Sequence, residues 1–197
     1  MKTFITLMLM VVLAGGALAQ IDPDPDGIGI YFERGATVRE TTTSAPFEAV
    51  TAYLLIMTPS TADPISGWEA VVGVDGSPVA PAWTLEVGMD NDPDPWIFDV
   101  TIAPSPLLPA GPTVLLATWT GFVMNPADLV AFTVTGVPGS PYFPDSPGYF
   151  TEWIVPQLHP LHVTNCAGDI VAMVNGICTD TVGDEDMTFT TLKTLFR

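Results

Sequence analysis

Proline and glycine recur along the whole chain, and they limit how long any regular element can be. The 197 residues include 20 prolines and 17 glycines, spread along the sequence rather than clustered. Proline interrupts helix interiors and central strands, and glycine weakens both kinds of element. The short segments between them alternate apolar and polar residues with a period of two, which is typical of half-buried strands. The sequence therefore predicts an all-β protein in which helices are scarce.

Six segments carry the strand pattern. Alternation is clearest over 68–75, 83–90 and 96–102, and the second of these places Trp83, Leu85, Val87 and Met89 on one face. Segments 49–57 and 113–123 are apolar on both faces, which is typical of central strands, and 129–136 follows an Asn125-Pro126 turn. We expect these strands to close into a two-layer antiparallel β-sandwich, with a short C-terminal tail.

The N-terminus has the features of a secretory signal peptide over residues 1–19. Lys2 precedes an apolar run over 4–13, and Ala17-Leu18-Ala19 provides the small residues of a cleavage site. We therefore expect a mature chain that begins near Gln20 and is secreted, extracellular or held at the cell surface. The apolar run is too short for a membrane span, so none is predicted.

Composition narrows the class of protein and its partners. The net charge is −17, and 48% of the residues are hydrophobic whereas only 14% are charged. Such an excess of negative charge repels nucleic acid, so no nucleic acid partner is expected. The apolar fraction can build one substantial core, which we assign to a single domain over 20–180. Residues 181–197 are predicted to be an acidic spacer followed by a short terminal segment.

The end of the domain carries a hairpin signal and both cysteines. Segments 170–174 and 177–180 flank Asn175-Gly176, a pair suited to a type I′ turn. Cys166 and Cys178 are the two cysteines of the chain, and an exported protein is expected to join them in a disulfide. This bridge requires residues 167–169 to fold back toward the hairpin, because a continuing meander would hold the Cα atoms too far apart. A zinc site formed by these thiols with His159 and His162 is disfavoured, because disulfide formation leaves no thiolate to bind the metal.

Aspartates are concentrated in two loops that also contain proline. The first loop, with Gly27 and Glu33, matches the spacing of an EF-hand. Pro23 and Pro25 restrict the neighbouring aspartates and no helices flank the loop, so an EF-hand is not supported. Two interpretations stay open, namely a looser calcium site and metal-free acidic surface loops, and no other cofactor is expected. The candidate calcium ligands are Asp22, Asp24 and Asp26 in the first loop and Asp90, Asp92 and Asp94 in the second.

Residues 137–160 combine six prolines with five aromatic residues. Proline stiffening lowers the entropic cost of presenting a ring to a ligand, which suits stacking on a sugar or anchoring a protein partner. The alternative is that the rings cover an open end of the sandwich. The candidate binding residues are Tyr142, Phe143, Tyr149, Phe150 and Trp153.

Two stretches carry a family resemblance. Ile65-Ser66-Gly67-Trp68-Glu69-Ala70 opens an alternating strand, and a later strand ends in Ala131-Phe132-Thr133-Val134. Their order over 27–136 resembles that of cohesin-type and carbohydrate-binding β-sandwich modules of secreted bacterial proteins. The resemblance implies a sandwich of immunoglobulin or cohesin type that binds a polysaccharide or a partner module without catalysis, and it assigns no contact residue. We therefore expect an exported binding or structural protein without catalytic residues. The alternative is a secreted hydrolase, with or without a dependence on calcium, in which carboxylates such as Asp145 and Glu152 converge in a cleft.

Overall fold

The computed structural model describes residues 24–102, 106–152 and 154–178. Asp22, Trp153, the predicted signal peptide and the terminal segment lie outside these ranges. The described residues form thirteen strands and no helix. In chain order the strands are Gly27–Tyr31 (β1), Glu40–Thr41 (β2), Glu48–Met57 (β3), Ile65–Asp75 (β4), Val79–Leu85 (β5), Met89–Asp90 (β6), Ile97–Thr101 (β7), Thr113–Val123 (β8), Val130–Thr135 (β9), Gly148–Thr151 (β10), Gln157–Pro160 (β11), His162–Val163 (β12) and Ile170–Val174 (β13).

The strands assemble into two sheets. Sheet I has the order β12-β1-β3-β8-β5, and sheet II has the order β11-β10-β4-β9-β13-β2, with β7 paired to β4 and β6 paired to β7. Most neighbours are antiparallel, but β1 runs parallel to β12 and β13 runs parallel to β2. The two sheets pack together around a continuous core, so the predicted β-sandwich is confirmed. The two parallel pairs are additions that the sequence pattern did not indicate.

The core lies between the sheets and is filled from both. Trp68 of β4 faces it from sheet II and Trp119 of β8 faces it from sheet I, and both are fully buried. Strands β3 and β8 are central in sheet I, as their apolar sequences predict. Their outer face has a second, smaller cluster in which Leu55 and Met57 pack with Tyr31 and Ala36. This explains why β3 is apolar on both faces.

The predicted strand over 83–90 is wrong as a continuous element. Strand β5 ends at Leu85 in sheet I, whereas β6 begins at Met89 in sheet II, so the chain crosses between the sheets at residues 86–88. Gly88 has a φ of +97° at the crossing, and a Cβ there would lie 2.9 Å from the carbonyl oxygen of Thr101. Period-two alternation continues through residues 86–88, so the sequence pattern does not show where the chain passes from one sheet to the other.

The predicted hairpin at Asn175-Gly176 is also incorrect within the described residues, since 177 and 178 are not in a strand. Strand β13 is already paired on both edges, with β9 and with β2, which leaves no edge for a returning strand. The predicted disulfide is confirmed: Cys166 and Cys178 are bonded, with their Cα atoms 5.0 Å apart. Residues 167–169 fold back as required, through a tight turn in which the Cys166 N–H donates to the carbonyl of Ile170.

Candidate functional site

A row of side chains crosses the outer face of sheet II and forms the candidate site. Phe150 of β10 lies opposite Leu158 of β11 on one side and Gly67 of β4 on the other. Gly67 lies opposite Thr101 of β7, which in turn lies opposite Met89 of β6. Directly paired residues of antiparallel strands point to the same face. Together with Tyr142, which packs on Phe150, these residues make a surface that we call the outer platform.

Tyr142 belongs to a loop over residues 137–147 that lies on this face. Its ring meets Phe150 edge to face, with centroids 5.3 Å apart, and 56% of the residue remains exposed. The next residue, Phe143, is only 2% exposed and packs against Phe150 and over Gly148. A Cβ at Gly148 would overlap the Phe143 ring, so glycine at this position lets the loop approach the sheet.

Ser140 fixes the loop beneath the aromatic residues. Its hydroxyl oxygen accepts hydrogen bonds from the backbone N–H groups of Tyr142 and Phe143, both at 3.1 Å. The Ser140 side chain is also hydrogen-bonded to the carboxyl group of Glu69 on β4. One buried hydroxyl therefore connects the loop that carries the exposed ring to the sheet below.

Glu69 is a buried carboxyl group on the outer face. It is 5% exposed, and its Oε1 has no hydrogen-bond partner in the described structure. Burial raises the pKa of Glu69, the hydrogen bond from Ser140 acts in the opposite direction, and the negative charge of Asp99 on β7 raises it further. Asp99 lies directly opposite Glu69 and is exposed at the rim of the platform.

The structure separates the predicted binding residues into exposed and buried rings. Tyr142 is exposed and Phe150 is half-buried, and both belong to the outer platform. Phe143 and Tyr149 are buried, because Phe143 seals the loop and Tyr149 faces the core between the sheets. These two rings cannot offer a face to a ligand, so they fit the alternative in which aromatic residues close the fold.

Other platform residues were missed by sequence reasoning. Leu158 is 47% exposed and Met89 is 66% exposed, and Asn91 donates through Nδ2 to Thr101 Oγ1 at 3.0 Å. Leu158 and Met89 belong to no motif, and Asn91 lies in the second acidic loop without being one of its candidate ligands. Pairing between distant strands brings all three to this face. A weak signal was available in Gly67 and Gly148, because a glycine inside a strand often marks a place where another group approaches closely.

The aspartates of the second acidic loop cap its backbone. Asp90 Oδ1 accepts from the N–H groups of Asp92 and Asp99, at 3.2 and 3.0 Å. Asp92 Oδ1 accepts from the Asp94 N–H at 2.8 Å, and Asp94 Oδ1 accepts from the Trp96 N–H at 3.0 Å. The described residues contain no group of three or more histidine, cysteine or acidic side chains that could hold a metal ion. Calcium binding remains an untested prediction.

Asp26 of the first acidic loop belongs to a polar cluster at the edge of the sandwich. Its Oδ1 accepts from the Tyr149 hydroxyl at 2.7 Å and from the Ser60 N–H at 2.8 Å. His159 stacks on Tyr149 with centroids 4.7 Å apart, and its Nδ1 lies 3.5 Å from Ser60 Oγ. Burial and the hydrogen bond to Asp26 raise the pKa of the Tyr149 phenol. Asp24 lies before this cluster, where its carbonyl accepts from the Thr58 hydroxyl.

This cluster resembles a serine-histidine pair, but among residues 24–102, 106–152 and 154–178 no carboxylate is seen to bond the histidine. His159 Nε2 lies 3.2 Å from Thr151 Oγ1, whereas the Asp26 carboxylate is engaged by Tyr149 and Ser60. A histidine that accepts a proton from serine is normally stabilised by a carboxylate on its other nitrogen. The contacts described here favour a structural role, in which the cluster joins the edges of the two sheets.

A groove of about 550 Å³ lies beside β9 and β12. Asp145, His162, Asn165 and Asp169 contribute polar side chains to its lining. Glu152, the other acid considered for hydrolysis, is not part of this lining and lies exposed at the end of β10. The groove therefore does not bring together Asp145 and Glu152, the pair of carboxylates considered for hydrolysis.

No family model, curated protein or solved structure matches this chain. Among the described residues, none belongs to a helix long and apolar enough to cross a membrane.

Proposed function

We propose that this protein is an exported, non-catalytic binding protein whose ligand contacts the outer platform. The observation that carries the proposal is Tyr142, which is 56% exposed although the backbone around it is fixed. Its ring packs on Phe150, and its N–H is held by Ser140. A ring ordered before binding loses little entropy when a ligand arrives, so more of the contact energy contributes to affinity.

The chemistry around the ring favours a neutral polysaccharide over the other ligand classes. An aromatic ring can stack on the apolar face of a sugar, and Asn91, Asp99 and Thr101 supply hydrogen-bonding groups at the adjacent rim. The net charge of −17 disfavours an acidic polymer. A protein partner with an apolar or basic surface is the alternative occupant of the same platform.

A pull-down with the mature chain tests the proposal. The chain is incubated with insoluble cellulose, chitin and β-1,3-glucan, and the bound fraction is measured as a function of protein concentration. Truncating a central aromatic anchor often reduces binding free energy by about 2 kcal/mol or more, which corresponds to roughly thirtyfold in Kd. We expect a loss of this size for Tyr142→Ala on whichever polymer is bound, with folding retained because the ring is exposed.

Phe47→Ala is the matched control, because Phe47 is 59% exposed and lies before β3 in sheet I. It should leave binding unchanged. Phe143→Ala tests the assignment of the buried ring and should lower stability by about 3 to 5 kcal/mol. Equal binding by wild type and Tyr142→Ala would contradict the proposal, and release of soluble sugar by the wild-type chain would favour the hydrolase.

A further inference from the structure

We propose that Glu69 makes the outer platform pH-dependent: its neutral carboxyl group holds the loop over 137–147 on the sheet, and its ionised form releases the loop. The biological purpose of this latch rests on the proposed function. The latch itself is a property of the loop and can be tested without any ligand.

The geometry places Glu69 beneath the loop with too few hydrogen-bonding partners. A side chain on the outer face of a sheet is normally solvated, but Glu69 is only 5% exposed. Phe143 of the loop packs over Gly148, which lies directly opposite Glu69. Ser140 is its hydrogen-bonding partner, and Oε1 has none in the described structure. A buried neutral carboxyl tolerates such a site far better than a carboxylate, which needs several donors.

Within the part of the chain that the structure describes, the groups placed against Glu69 offer no compensating positive charge. Asp99 of β7 lies directly opposite and is acidic, and Asp90 of β6 accepts from the Asp99 N–H. Strand β10 presents Gly148 to Glu69, and the loop presents Ser140, neither of which titrates. Burial and the charge of Asp99 both raise the pKa of Glu69, against the hydrogen bond from Ser140. The neutral form therefore persists to a higher pH than for an ordinary glutamate.

The free-energy cost of ionising Glu69 falls when the loop moves away and water reaches Oε1. The Ser140 side chain is hydrogen-bonded to Glu69, and its hydroxyl also holds the N–H groups of Tyr142 and Phe143. Displacement of Ser140 therefore frees the backbone of both aromatic residues at once. Tyr142 then loses its fixed position against Phe150, and the platform loses its central ring.

The direction follows from the raised pKa. The closed loop binds the Glu69 proton more tightly than the open loop does, so closure is most favourable at acidic pH. As pH rises through the window above the ordinary value of 4.5, the open population grows. Each unit by which closure raises the pKa changes the ratio of closed to open loop by about tenfold.

Hydrogen exchange of the full chain at pH 5 and pH 8, corrected for the intrinsic pH dependence of exchange, tests the latch. The readout is the protection of the Tyr142 and Phe143 amides. We expect about tenfold less protection at pH 8 for each unit of pKa shift in the wild type, and equal protection at both pH values for Glu69→Gln. Glu86→Gln, which removes an exposed carboxylate elsewhere, should behave as wild type.

Asp99→Asn provides a second variant that keeps Glu69 and serves if Glu69→Gln does not fold. It removes the negative charge that raises the Glu69 pKa, so the pKa differs less between the closed and open loop, and the loss of protection between pH 5 and pH 8 should be smaller than in the wild type. Wild-type protection that is equal at pH 5 and pH 8, or a pH dependence that survives Glu69→Gln, would overturn the latch. Because hydrogen exchange needs no ligand, the latch and the proposed function can fail separately. Exchange that depends on Glu69 as expected, together with normal polysaccharide binding by Tyr142→Ala, would reject only the proposed function.

Discussion

Tyr149 joins the edges of the two sheets through a polar contact as well as through packing. Its ring faces the core from β10 in sheet II, and its hydroxyl donates to Asp26, which immediately precedes β1 of sheet I. His159 stacks on the same ring. A hydrogen bond to a charged acceptor contributes more to stability than one between neutral groups. This single residue therefore stabilises one open end of the sandwich in two ways.

Tyr149→Phe should separate the two contributions of this residue. The substitution keeps the stacked ring and removes only the hydroxyl, which leaves Asp26 with one donor fewer. We expect the free energy of unfolding to fall by about 1.5 to 3 kcal/mol, the range for hydrogen bonds to charged groups, as measured by urea denaturation at neutral pH. Tyr53→Phe, at a half-buried tyrosine of sheet I, is the control and should cost less. An unchanged midpoint for Tyr149→Phe would show that the bond to Asp26 contributes nothing.

At the scale of elements, strand existence could be predicted from the sequence, but strand partners could not. The patterns over 49–57, 113–123 and 129–136 correspond closely to β3, β8 and β9, because alternation and apolar content report burial directly. The crossing at Gly88 and the double pairing of β13 depend on strands distant in sequence. The same limit applies to the platform: Tyr142 and Phe150 were visible as rings, whereas Glu69 and Ser140 acquire their roles only through the folded loop.

The end of β13 shows how a turn signal can serve a different purpose. Asn175 adopts a φ of +58°, as the Asn-Gly pair predicts, but its side chain binds neighbouring segments instead of forming a hairpin. Its Oδ1 accepts from the Thr43 N–H at 2.7 Å, and its Nδ2 donates to Thr43 Oγ1 and to the carbonyl of Asp128, both at 2.9 Å. Asn175 therefore ties β13 to the segment after β2 and to the turn before β9.

Two substitutions at Asn175 should distinguish conformation from hydrogen bonding. Asn175→Gly tolerates the positive φ and loses the side-chain bonds, so we expect a loss of about 1 to 3 kcal/mol from the unpaired Thr43 and Asp128 groups. Asn175→Ala loses the same bonds and adds about 1 kcal/mol or more of backbone strain. Thermal melts of both variants against wild type provide the measurement. If both variants melt as wild type does, the side chain does not hold these segments together.

At the scale of the whole molecule, the acidic excess has a structural use. The sequence contains 22 acidic and 5 basic residues, and several of the acids accept backbone N–H groups in turns. Glu48 binds the N–H groups of Ser44 and Ala45 through Oε2, and Glu33 binds those of Gly35 and Thr37 through its two oxygens. Together with the caps formed by the second acidic loop, these contacts give local order to a chain that is rich in short turns.

Calcium should therefore act on this molecule mainly as a screening ion. In the second acidic loop, Asp90, Asp92 and Asp94 each already accept from a backbone N–H, so a cation would compete with these bonds. We expect CaCl₂ to change the melting temperature no more than NaCl at equal ionic strength, since both screen repulsion among the carboxylates. A specific site would instead raise the melting temperature at micromolar calcium by mass action. Such a rise, lost in Asp92→Asn or Asp24→Asn and absent with NaCl, would establish the calcium site and reject the screening interpretation.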